Sequence, residues 1–170
     1  MDGAPETRSR VPQEGLVLLG RDGEDLREWA IELLTPIDQD RLSRDLLEQG
    51  LPPQEVALRV GTELRFVLGV QQHLESGEEI RPVTAKELGW RRAAGQISTE
   101  EMMERLRSWP YTFGQVRGYD GYESGSWDDI ESLRFDRFIS AEEYDELYEV
   151  AETLPTLTDE PYDSPELWAP

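Results

Sequence analysis

Apolar positions recur along most of the chain at helical spacing, and the gaps between them carry helix-end signals. In Asp25–Leu34 the residues Leu26, Trp29, Ala30 and Leu33 follow the i, i+3, i+4, i+7 rule, which predicts an amphipathic helix. Pro36 is expected to end it, because a proline pushes its predecessor out of helical dihedrals. Asp38 then caps a second helix, with Leu42, Leu46 and Leu47 inward, until Gly50 stops it. Pro52-Pro53 opens the longest helix, at the position where proline costs least. Its stripe is Val56, Val60, Leu64, Val67 and Leu74, closed by Gly77. The same spacing suits one continuous helix or a hairpin over residues 50–75.

Three later segments share a start signal. Thr84-Ala85-Lys86-Glu87, Ser98-Thr99-Glu100-Glu101 and Ser140-Ala141-Glu142-Glu143 all read as capping boxes, in which the hydroxyl takes the third amide and the glutamate reaches back. The segment Ile97–Met102 also parallels Ile139–Tyr144, either as reuse of a good helix start or as an internal duplication. The following stripes are Met102, Met103, Leu106 and Trp109, then Tyr144, Leu147, Tyr148 and Ala151. The expected architecture is mainly α: about seven helices in one domain over residues 15–153, with at most one or two short strands. A sub-boundary is expected near residues 77–83. Residues 1–14 read as a disordered lead-in and 154–170 as a flexible acidic tail. Leu16–Leu19 reads as one strand or a buried extended piece.

Charge narrows the function. Seventeen Lys and Arg against 37 Asp and Glu leave −20, with a single histidine and no cysteine. That balance repels DNA, RNA and anionic lipid, so neither nucleic acid nor membrane is an expected partner. It suits simple solubility or a basic protein partner. Apolar residues are 37% of the chain, and the five Trp supply large core pieces. No run approaches the ~18 apolar residues of a membrane span, and Met1–Glu6 does not read as a signal peptide, so a cytoplasmic location is expected.

Candidate chemistry is thin. His73 cannot form a histidine pair, no Gly-x-Ser-x-Gly or P-loop occurs, and Lys86 is the only lysine. Asp128, Asp129 and Glu131 read as a solvated helix face rather than an acid/base pair. Three partial calcium loops end at Glu101, Glu143 and Glu131, and none carries carboxylates at positions 1 and 3 together. No catalysis, metal or cofactor is therefore expected. Residues 50–75 resemble the opening of a helix-turn-helix, with Ala57 at the contact, Gly61 at the turn and Val67 in the core. Its second helix would offer Glu63, Arg65, Phe66, Leu68 and Gly69, a poor set for phosphate.

What remains is surface. Between Tyr111 and Gly125 lie four glycines with Tyr111, Phe113, Tyr119 and Tyr122. Trp109, Tyr111, Phe113 and Trp127 read as core plugs. Tyr119, Asp120, Tyr122 and Glu123, set among glycines expected to uncouple them from the core, read as a binding loop. Glu142, Glu146 and Glu149 fall on one side of the last helix and complete the candidate surface. Arginine is used almost to the exclusion of lysine. With Trp109-Pro110-Tyr111-Thr112-Phe113-Gly114 and the Ile-Ser-x-Glu-Glu starts, residues 84–150 resemble small acidic actinobacterial immunity proteins of polymorphic toxin systems. The resemblance implies a cytosolic inhibitor that binds a basic toxin. The alternative is a degenerate helix-turn-helix regulatory protein built on residues 50–75.

Overall fold

The first predicted stripe opens a helix that is longer than its spacing implied. In a computed structural model, which describes residues 23–117 and 121–154, α1 spans Gly23–Glu48 and continues through Pro36. The predicted lead-in, the Leu16–Leu19 run and the tail beyond Leu154 lie outside the described residues, while Leu154 itself packs against the main core. An interior proline removes one ladder hydrogen bond and costs about 3 kcal/mol. Contacts on both sides of it offset that cost. Before Pro36, Leu26, Ala30 and Leu34 are buried. After it, Asp38, Asp40 and Arg41 are tied to Arg91, Arg81 and Glu87. Asp38 is thus not a cap: its carboxylate accepts from the Arg91 guanidinium at 2.6 Å. Leu42 also departs from expectation and is exposed, while Ser43 is the buried residue of that turn.

The stretch after Pro52 is a hairpin of two helices, not one long helix. α2 (Pro53–Val60) stops at Gly61, which adopts φ 74, and α3 (Leu64–Glu75) follows after a short turn. The left-handed turn favours a residue without Cβ. Val56, Ala57 and Val67 are buried here, with Leu46, Leu47, Leu51 and Val60 packed against them. Leu64 of the predicted stripe is left exposed.

The remaining elements are α4 (Ala85–Ala93), α5 (Thr99–Arg107), β1 (Gln115–Arg117), β2 (Gly121–Glu123), α6 (Trp127–Phe135) and α7 (Ala141–Glu152). The described chain is therefore mainly helical, with seven helices and one antiparallel hairpin that sets Gln115 opposite Glu123. The 77–83 stretch falls on the connector between α3 and α4. All three predicted hydroxyl caps accept their third amide, but only Ser140 completes the reciprocal box with Glu143. Glu101 pairs instead with Arg105.

Glu87 turns inward. It is 1% exposed, takes two hydrogen bonds from Arg41 at 2.6 and 2.7 Å, and a third from Arg91 at 2.7 Å. Burial opposes its ionised form, yet the hydrogen bonds from Arg41 and Arg91 outweigh it and hold its carboxyl below the ordinary value. Arg92, also buried, reaches Glu143 and the Phe138 carbonyl and so joins α4 to α7. Around these pairs the main core gathers Leu88, Met102, Leu106, Ile130, Leu133, Phe138, Ile139 and Leu147. α4 and α6 touch at Gly89, where a Cβ would stand 2.4 Å from a Leu133 methyl.

Candidate functional site

The glycine–aromatic segment is clasped to the body of the domain. The Thr112 amide donates to the Ser126 hydroxyl, and the Ser126 amide donates to the Thr112 hydroxyl, both at 2.9 Å. The Trp127 amide closes on the Thr112 carbonyl at 3.0 Å. Gly125 lies so near this segment that a Cβ would meet the Thr112 oxygen at 2.2 Å. Gly114 lies under the Tyr122 ring, where a Cβ would stand 2.0 Å from the phenol oxygen. These glycines therefore couple the hairpin to the core, against the expectation that they free it.

Tyr122 is 59% exposed, and its hydroxyl donates to Asp128 at 2.8 Å. The same carboxylate takes the Gly125 amide at 2.9 Å. The hydrogen bond to Asp128 pushes the Tyr122 phenol above its ordinary value. Glu123 is exposed at the end of β2. Tyr119 and Asp120 lie outside the described residues.

Behind the hairpin stands an aromatic cluster. Trp127 is buried and has Tyr111, Tyr144, Tyr148 and Phe113 around it, with ring centroids 5.1, 5.8, 6.1 and 6.2 Å away. Trp127 and Tyr111 are core residues, as read from the sequence; Trp109 and Phe113 are partly buried against the same core. Tyr148 is 45% exposed, stacked on Tyr144, so it carries the cluster to the surface. Tyr148 belongs to the stripe of the last helix by spacing, and its partner rings leave its outer side in solvent.

On α7 the three glutamates differ. Glu146 accepts from Arg107 at 2.6 Å and ties α7 to α5. Glu142 is exposed, and hydrogen bonds from its own amide and from Ser140 hold its carboxyl low. Glu149 is exposed with no ion pair among the described residues. Glu142 and Glu149 therefore carry open charge, while Glu146 carries a partly neutralised one.

Elsewhere the candidates read from sequence have structural partners. His73 is exposed and contacts Glu78 at 2.6 Å. Asp129 meets Lys86 at 3.4 Å. Arg92, at a ligand position of one partial calcium loop, is buried inside α4. Among the described residues no three His, Asp or Glu side chains are placed to share an ion. α2 and α3 are two helices joined by a short turn, with Ala57 and Val67 buried between them and α1. The second helix presents Leu64, Phe66 and Leu68 to solvent, and its one arginine, Arg65, is held by Glu63 and lies over the Phe66 ring.

The fold and surface together define a mainly helical protein with an acidic, aromatic C-terminal face. Among the described residues no helix is long and apolar enough to cross a membrane. No protein family, curated protein or solved structure matches the chain.

Proposed function

We propose that this is a non-catalytic, acidic protein-binding protein, and that its C-terminal third holds a basic partner. The finer reading is an immunity protein that inhibits a secreted toxin domain by direct binding in the cytoplasm. The observation that carries it is the density of acidic charge. Residues 121–154 hold eleven Asp and Glu against two Arg, a balance of −9; residues 23–75 hold eleven against five, −6, and residues 76–117 hold six against seven Lys and Arg, +1. Acidic charge of this density accelerates encounter with a cationic surface. Tyr122 and Tyr148, exposed at the edge of this face, supply rigid anchors of the kind that dominate interface energetics.

The test is capture of the partner by cross-linking in the native host, followed by association kinetics with the purified partner. Glu142→Lys with Glu149→Lys should slow association by about tenfold at low salt and less at high salt. A captured partner that is not basic, or an association rate indifferent to both charge reversal and salt, would refute the reading. A second reading, a helix-turn-helix regulatory protein, draws support from the α2–α3 geometry. It requires a gel shift that fades steeply with salt, and the paired Arg65 argues against it.

A further inference from the structure

At the C-terminal end of α6 the chain turns through Arg137 at φ 65. The Phe138 amide donates to the Leu133 carbonyl at 2.8 Å and the Arg137 amide to the Arg134 carbonyl at 3.2 Å, a closure that glycine ordinarily serves. The left-handed residues that follow α1, α2, α3 and α4 are Gly50, Gly61, Gly77 and Gly95. Among the described helices only α6 places a side chain there, against the steric preference of every L-residue with a Cβ; the other left-handed side chain described, Arg81 at φ 49, lies in a connector. Strain of that kind marks positions where the side chain itself is needed.

That side chain faces a site. Arg134 and Arg137, with Glu131, Phe135 and Tyr144, line an open depression of about 500 Å³. Phe135 is 87% exposed, more than any other large apolar side chain among the described residues. Among the described residues neither arginine makes an ion pair within 4 Å, although the charge of Arg134 helps hold the Glu142 carboxyl low. Among the basic side chains described, only Arg27 also lacks such a pair. In a chain with 37 carboxylates, two neighbouring arginines without a direct carboxylate contact are a scarce arrangement.

We propose that this depression binds a small aromatic oxyanion, of the class of a nucleoside monophosphate. Arg134 and Arg137 take the anionic group and Phe135 stacks on the ring. Guanidinium forks match phosphate oxygens in pairs, and an exposed phenyl offers a face to any base. Tyr144 lies partly buried in the lining, and Glu131 supplies an acceptor, which favours a ligand that also carries donors over a bare anion. This site goes beyond the partner-binding reading and stands without it.

The experiment is a titration of the full chain with AMP at low ionic strength, followed by amide chemical shifts, with adenosine and inorganic phosphate as separate arms. AMP should saturate, with shifts centred on residues 131–144, and each of the other two should bind at least about tenfold more weakly. Arg137→Gly should keep or raise the thermal midpoint while weakening AMP by about tenfold or more, and Phe135→Ala should weaken it without unfolding the chain. The proposal is overturned by a failure to saturate at about 10 mM AMP, or by phosphate binding as tightly as AMP. It is equally overturned if Arg137→Gly leaves AMP affinity unchanged, or if that variant unfolds, which would make the arginine a structural residue.

Discussion

The two halves of α1 serve two cores of different construction. Its first half enters a large core in which Phe138, Leu88, Met102, Leu106, Ile130 and Leu147 are fully covered, with the Trp29 ring tilted against Phe138, centroids 4.9 Å apart. Its second half enters a small one, where only Val56, Ala57 and Val67 are buried and Leu58, Phe66 and Leu68 remain in solvent. The large core is closed by aromatic and aliphatic bulk. The small core packs on the second half of α1 through Leu46 and Leu47, and the ion pairs that follow Pro36 tie that same half to α4 and Arg81. Depth of burial and charge pairing thus divide the task of stabilisation along a single helix.

Cavity formation should separate the two regions most strongly. Phe138→Ala should destabilise the whole domain by about 3–5 kcal/mol, whereas Val67→Ala should cost about 2 kcal/mol. Denaturant titration reads both. Hydrogen exchange should show the second loss confined to α2 and α3; equal losses throughout the chain would merge the two cores into one.

The junction is the next place to break. Glu87→Gln removes the charge that Arg41 and Arg91 share and should cost about 3 kcal/mol, because Arg41 loses its carboxylate partner and Arg91 is left with Asp38 alone. Acid should act on the same contact. The folded value of Glu87 lies below its ordinary value near 4.5, so its contribution is complete above that pH and is lost as pH falls through the folded value. The acid limb of the stability curve should therefore flatten in Glu87→Gln, and an unchanged limb would assign acid sensitivity elsewhere.

Pro36→Ala restores a ladder donor in a helix that already forms. It should stabilise by about 1–3 kcal/mol on thermal or chemical unfolding. A loss of stability would mean that the proline shapes the angle at which the two cores meet. The smallest effect belongs to the hairpin, which no deep core supports. Tyr122→Phe removes the hydrogen bond to Asp128 and should loosen residues 121–125 in hydrogen exchange with little change in the midpoint. In the native chain the phenol is held above its ordinary value near 10, so the clasp is intact below that pH and opens as pH rises through the folded value. Ultraviolet titration of the phenolate in native chain and variant checks it.

Most helices were legible because their signals are local. The stripes of α1, α5 and α7 and the hydroxyls Thr84, Ser98 and Ser140 act within one or two turns, so spacing alone locates them. Glu142 and Glu149 were legible as an open acidic side for the same reason, since helical geometry fixes their direction. Glu146 was not, because Arg107, 39 positions away, decides its pairing.

The features that composition and spacing could not assign all depend on partners distant in sequence. Pro36 reads as a terminator until the ion pairs behind it hold α1 to α4. Glu87 reads as a capping residue until Arg41 draws it inward. Gly114 and Gly125 read as hinges until Tyr122 and Thr112 close on them. The sequence by itself determined which segments are helical and where the acidic charge concentrates, because propensity, capping and charge are properties of neighbours. Only the tertiary structure decided which helices run on and which carboxylates are neutralised. It also decided which side chains stay unpaired, because those outcomes come from long-range packing that overrides local preference.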